Sequence, residues 1–366
     1  MLSYLKSAMN RSFVEFRRRL LLCSALCLIL MVARDLTAGE RREQEDPLVP
    51  VYPAFFNTAN RDSQVYIKLS FEKLAGNYAV LDDSQFYREP YDADSIEMWF
   101  YQGGVYYHPT LLSRRVQNII STYRRNGDEK YLERAEKLAA RVLSMCFPDG
   151  DAVFAGFPFR FAVHGDSALL LSPPWVSGMT QGELLMAVVR LFKITGRQEY
   201  MDAAHLLFNS FLHLRRNHDV WVARIDGDRY YWIEEYPHDR SPGMTLNGFM
   251  SGVFGIYDYY WLTGDNRAKT ILDMCLATIK HYLPQYRQED EPSFYCLGHR
   301  HVAEESGHFL HVRRLRDIYR MTGDDFFDIW ADSLESDGNL AYRTNRLVRI
   351  YHRLTKMVGD WFSSDE

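Results

Sequence analysis

From residue 109 onward, apolar residues recur at helical spacing in long runs, and the runs are interrupted by a repeated punctuation. An amphipathic stretch ends on an aromatic residue, a glycine follows within a few residues, and a second amphipathic stretch begins after Asp or Arg. The instances are Tyr123 to Gly127 with Asp128, Phe192 to Gly196 with Arg197, Trp261 to Gly264 with Asp265, and Tyr319 to Gly323 with Asp324. Glycine supplies the left-handed residue that closes one helix, and aspartate, where it follows, caps the next. Four recurrences of a helical hairpin predict a mainly α protein whose hairpins bury their apolar faces by stacking. The expected architecture is an α/α barrel (toroid) of at least four helical hairpins, with β-hairpin insertions and a short N-terminal arm; a plain helical solenoid is the alternative.

Between the helical runs the period changes. Val65, Ile67, Leu69 and Phe71 alternate as in a strand, as do Phe157, Phe159 and Phe161 around Pro158 and Arg160. Val220 to Ile233 reads as a β-hairpin turning at Asp226 and Gly227, and it delivers Glu235 and Tyr236 into a loop interrupted by Pro237, Pro242 and Gly243. Loops on a rigid scaffold are where polar side chains can be held toward a cleft, and a phenol beside a carboxylate is acid/base equipment.

The N-terminus is different in kind. Basic residues Lys6, Arg11 and Arg17 to Arg19 precede an apolar run from Leu20 to Ala33, shorter than the roughly 20 residues of a spanning helix, so a secretory signal is favoured over an anchor. The segments expected are residues 1–38 as signal or anchor, 39–100 as an arm or cap, 101–340 as the helical domain, and 341–366 as a C-terminal amphipathic helix and tail. Either fate of residues 1–38 places the protein outside the cytoplasm, exported or membrane-anchored.

With 366 residues, 47% of them hydrophobic and 14% aromatic, the chain can bury a large core. Without residues 1–38 it keeps 37 Lys and Arg against 46 Asp and Glu, which argues against nucleic acid as a partner. An acidic polysaccharide is still compatible, because carboxylate or sulfate is recognised by local Arg and Lys. Cys146, Cys275 and Cys296 are an odd set at wide spacing; they read as core residues, and neither a metal nor another cofactor is expected.

Five ordered blocks then carry a resemblance. They are Pro174, Trp175, Ser177, Gly178, Met179, Gln181 and Gly182; Trp232, Glu234, Glu235, Tyr236 and Pro237; Leu246 to Met250 with Gly255, Tyr257 and Asp258; Tyr295, Leu297 and His299; and His308 with His311. From about Pro173 to Phe327 the chain resembles the C-terminal catalytic domain of the D-glucuronyl C5-epimerases. The resemblance implies a helical barrel that inverts C5 of glucuronic acid in a heparosan-like polysaccharide. It implies Tyr236, Tyr295 and Glu235 as catalytic groups, with His308 standing in for a third family tyrosine that is Gly307 here. Arg300 and His299 would hold the substrate carboxylate, and Asn247, His311, Trp175 and Gln181 would contact the sugar. A uronate lyase on the same barrel and a non-catalytic glycan-binding relative are the competing functions, and self-association as a homodimer is compatible with all three.

Overall fold

The computed structural model describes residues 53–76, 78–81, 90–239 and 241–342. Eight helices form four hairpins: α1 (Pro109–Asn126) with α2 (Glu129–Leu143), α3 (Gly178–Thr195) with α4 (Gln198–Asn209), α5 (Leu246–Thr263) with α6 (Asn266–Tyr286), and α7 (Glu305–Thr322) with α8 (325–342). The fold is mainly α, as the periodicity predicts. Each first helix ends in the predicted glycine, with φ of 70° at Gly127, 66° at Gly196, 69° at Gly264 and 68° at Gly323. The second helix is capped by aspartate at Asp128, Asp265 and Asp324, whereas Arg197 offers no side-chain cap to α4.

The first helices pack on one another, α1 on α3, α3 on α5 and α5 on α7. Their burial explains why α3 and α5 are apolar nearly all round while α2 shows a single stripe. At the α3–α5 crossing a Cβ on Gly182 would lie 2.4 Å from the Ser251 carbonyl oxygen, and one on Gly255 would lie 2.5 Å from that of Gly182. Backbone meets backbone there, which only glycine allows. Above this contact, Arg190 and Asp258 form a buried ion pair at 2.8 Å joining the same two helices.

Ten short strands make five two-stranded antiparallel ribbons: β1 (Trp99–Tyr101) with β2 (Gly104–Tyr106), β3 (Cys146–Asp149) with β4 (Ala152–Ala155), β5 (Phe161–Ala162) with β6 (Leu170–Leu171), β7 (Ala223–Ile225) with β8 (Tyr231–Ile233), and β9 (Phe294–Cys296) with β10 (His301–Val302). The β7–β8 hairpin is the one predicted. Its turn is braced by Asp226, which accepts from the Trp232 indole at 2.9 Å and the Tyr282 hydroxyl at 2.7 Å.

The expected strand at Val65 to Phe71 is not formed. The segment is a strap whose backbone bonds go elsewhere, from Asp62 N–H to the Asp273 carbonyl and from Ile67 N–H to the Met321 carbonyl. Val65 is 85% and Ile67 46% exposed, Tyr66 is buried with its hydroxyl on Asp273, and Leu69 and Phe71 pack part-buried on the core, so the alternating apolar residues do not make one buried face. Residues 1–38 and most of the predicted C-terminal helix lie outside the described residues. Among the described residues, no helix is long and apolar enough to cross a membrane.

Candidate functional site

Side chains from all four first helices meet at one carboxylate. Glu183 of α3 is fully buried and accepts from Arg114 Nε of α1 at 3.1 Å, Gln117 Nε2 of α1 at 3.3 Å and Ser251 Oγ of α5 at 3.0 Å. Arg314 of α7 reaches it at 3.5 Å, and the Tyr78 hydroxyl also donates to it. Burial alone would push this carboxyl up, but Arg114 and Arg314 reverse that and hold it below the usual carboxylate range. Arg114, Glu183 and Ser251 are each the sixth residue of α1, α3 and α5, so these three helices present their N-termini toward the same end, where helix dipoles favour an anion.

Over that end lies the loop leaving β8. Successive side chains at a strand end point to opposite sides, and Glu234 and Glu235 divide accordingly. Glu234 faces the scaffold: one oxygen takes Arg224 Nε at 2.6 Å and the other accepts from Gly243 N–H and Met244 N–H, fixing the loop. Glu235 faces the cleft. Both of its oxygens lie 3.0 Å from the Tyr295 hydroxyl on β9, and the Tyr236 hydroxyl lies near enough to Glu235 and Tyr295 for each to act on it. Both phenols are half-buried, so the cluster is roofed by protein and open on one side.

Burial pushes the Glu235 carboxyl above its ordinary range, against the lowering pull of Tyr236, Tyr295 and the more distant Arg114 and Arg314. Burial followed by the Glu235 charge raises both phenols well above 10. A carboxylate made more basic by burial, hydrogen-bonded to one phenol and next to a second, can move protons between them.

Asn247 and Gly248, in the first turn of α5, form the wall behind Glu235. Asn247 donates to the Gly307 carbonyl at 3.4 Å, while its buried Oδ1 has no hydrogen-bond partner among the described residues. A Cβ on Gly248 would sit 2.4 Å from the Glu235 Cβ and 2.5 Å from its Oε2. Gly248→Ala must therefore move the carboxylate, and a displacement near 1 Å at a catalytic group lowers turnover about 100-fold. We expect that loss in kcat with the melting temperature changed by only a few degrees, read by steady-state kinetics and calorimetry.

The remaining predicted site residues divide clearly. His308 is fully buried, with Nε2 on the Leu334 carbonyl at 2.7 Å and Nδ1 accepting from Ser293 N–H at 2.9 Å. Both ring nitrogens are used by the backbone, so the catalytic role expected for it is not available. Gln181 is likewise structural, tied to Ala155 N–H at 2.9 Å, the Val153 carbonyl at 2.8 Å and Ser210 Oγ at 2.9 Å. Trp175 stacks on Phe157 at 3.7 Å and donates its indole N–H to Phe159, standing behind Phe161, which stacks on Tyr236 at 5.4 Å. It buttresses a phenol and does not present a face to a sugar.

Arg300 is exposed over the Phe294 ring at 4.4 Å, and His299 bonds Ser241 at 3.0 Å, so neither is arranged to hold a carboxylate beside Tyr236. His311 is buried on Ser293 Oγ at 2.9 Å through Nδ1, with Nε2 lacking a partner among the described residues; burial lowers its pKa to about 3 and keeps it neutral.

Sequence reading missed Arg114, Glu183 and Arg314. Arg114 is 29% exposed, the most accessible of the three, and its charge acts on both Glu235 and Tyr236.

Residues 149–336 match the family model described as D-glucuronyl C5-epimerase C-terminus. The chain belongs to this family. The matched span includes Glu183, Glu235, Tyr236, Tyr295 and Arg314, and leaves Arg114 outside it. An uncharacterized protein of Methanocaldococcus jannaschii is 30% identical over 174 residues, 47% of this chain and 53% of that protein. The D-glucuronyl C5-epimerase of Caenorhabditis elegans is 28% identical over 185 residues, 45% of this chain and 29% of that enzyme. The chain thus spans about half the length of the first relative and under a third of the second. Among solved structures, a sugar epimerase from a ruminal bacterium is similar at 16% identity and a TM-score of 0.47, covering 63% of this chain and 59% of its own.

Proposed function

We propose that the protein is a carbohydrate epimerase that inverts C5 of glucuronic acid residues in a heparosan-like polysaccharide. The observation that carries this reading is the single buried carboxylate, Glu235, bonded to Tyr295 and next to Tyr236, with the Arg114 charge acting on it. C5–H of a uronate is weakly acidic, and its removal creates a dianionic, enolate-like species that needs cationic or hydrogen-bonding stabilisation. Arg114 supplies the cation and takes the role expected of Arg300.

The steps balance through Glu235. Tyr236 gives its proton to Glu235 and the resulting phenolate takes the C5 proton. Tyr295 then delivers its own proton to the opposite face of C5, and the proton held by Glu235 restores Tyr295. The enzyme ends with both phenols protonated and Glu235 ionised, ready for either direction. A carbon flanked by two reacting oxygens needs each about 3–3.5 Å away, so the hydrogen-bonded phenols separate as the sugar enters.

That same convergence supports one other reading. A single acid/base cluster on one side suffices for elimination, in which loss of the C5 proton is followed by departure of the C4 substituent. Product analysis separates the two: proton NMR of desulfated glucuronate polymer after incubation shows iduronate signals for the epimerase, whereas an unsaturated uronate absorbing in the ultraviolet marks the lyase. Unchanged polymer contradicts both and leaves the glycan-binding alternative.

A further inference from the structure

Beside the Tyr295 hairpin, and separate from the carboxylate cluster, three metal-ligating side chains converge from two distant parts of the chain. Cys296 follows Tyr295 on β9 but points to the other face of the ribbon, where it is buried. Its Sγ lies 3.2 Å from Nε2 of His164 and 3.7 Å from Nδ1 of His299. The donor atoms of the three residues all lie within 4.8 Å of one another. A tetrahedral zinc with Zn–S near 2.3 Å and Zn–N near 2.0–2.1 Å requires S···N separations of about 3.6 Å, and the two observed distances bracket that value.

We propose that His164, Cys296 and His299 form a binding site for a zinc-like divalent ion, with the fourth position taken by water. Two further features fit. His299 directs its other ring nitrogen at Ser241 Oγ, 3.0 Å away, the outer hydrogen bond that fixes the tautomer and orientation of a ligating imidazole. His164 occupies the left-handed region at φ 53°, in a turn between β5 and β6 that aims its ring at the β9–β10 ribbon.

Soft thiolate with imidazole selects zinc over magnesium or calcium. Binding releases the Cys296 proton to solvent, so uptake weakens as pH falls. The ion ties the turn at 163–165 to the ribbon carrying Tyr295, whose ring His164 meets edge-on at 6.0 Å. Its role here is to position Tyr295.

The test uses the full chain and cobalt(II) as the probe. After chelator treatment and buffer exchange, cobalt is expected to bind at about one equivalent, giving intense tetrahedral visible bands and a thiolate charge-transfer band in the near ultraviolet, both displaced by zinc. Cys296→Ala is expected to lose the charge-transfer band and bind at least 100-fold more weakly, and His164→Ala at least 10-fold more weakly. Circular dichroism of each variant establishes that it is folded, and His299→Ala gives a third reading should one of the others fail that check. In the absence of a metal site the same atoms would make only thiol–imidazole hydrogen bonds. No cobalt spectrum in folded wild type, or a charge-transfer band that survives in Cys296→Ala, overturns the proposal; neither result depends on epimerase activity.

Discussion

Glu235→Gln is expected to lower the rate of proton exchange at C5 of a uronate polymer about 1,000-fold while leaving the protein at least as stable as wild type at neutral pH. The amide keeps the shape and can still bond Tyr295 and Tyr236, but it cannot take up and return a proton, and a positioned acid/base group contributes 10²–10⁴-fold. The stability half follows from the direction of the Glu235 shift. Burial raises its folded pKa above the unfolded value, so between those two values the native state binds more protons than the unfolded state, and wild-type stability falls as pH rises. Glutamine removes that penalty. Denaturation across the acid-to-neutral range therefore should show the variant gaining on wild type with increasing pH. A variant that is inactive and also unstable at every pH would instead assign Glu235 a structural role.

Glu183→Gln is expected to behave in the opposite way, destabilising the fold by about 3–5 kcal/mol, the range for leaving a buried charge without its partner. Here two guanidinia, Arg114 and Arg314, lose the carboxylate they share, and the Tyr78 hydroxyl loses the ionised acceptor. The sign with pH is again fixed by direction. Although burial opposes it, Arg114 and Arg314 lower the folded pKa of Glu183, so its contribution is present above the unfolded carboxylate pKa and is lost as pH falls through the folded one. Urea denaturation at neutral pH should show the full deficit, and the gap to wild type should narrow in acid. Since the four first helices meet at this group, the loss also loosens the cleft, and activity falls with stability rather than apart from it.

These two acids show what was and was not legible in the sequence. The hairpins could be read because the signal is local: an aromatic, a left-handed glycine and a capping aspartate within a few residues. The placement of Glu235 and Tyr236 at a strand exit could be read because loop breakers mark where side chains leave the core, whereas Tyr295 is named by the family blocks alone. The blocks also misled. Gln181, Trp175 and His308 share the motifs, but they hold backbone carbonyls and aromatic rings in place, a task that constrains a residue as tightly as catalysis does.

Arg114 and Arg314 could not be singled out, because a charged residue on an amphipathic helix ordinarily faces solvent, and the partners of Glu183 lie on three other helices; only the packing of α1, α3, α5 and α7 reveals that these three share one buried point. The strand expected at Val65 to Phe71 failed for a related reason. Alternation records which side chains are apolar, and the backbone partners that turned this segment into a strap lie on α6 and α7. His164 and Cys296 are 132 residues apart, a pairing no spacing rule contains.

The most direct measurement of the central claim is deuterium entry at C5 when the glucuronate polymer is incubated in deuterated water, followed by NMR for wild type, Tyr236→Phe and Tyr295→Phe. The relay through Glu235 predicts label together with iduronate for wild type, and at least a hundredfold slower labelling for each folded phenylalanine variant. Label entering either variant at the wild-type rate would contradict the assignment of that phenol, and no label in the wild type under any uronate polymer would contradict the relay itself.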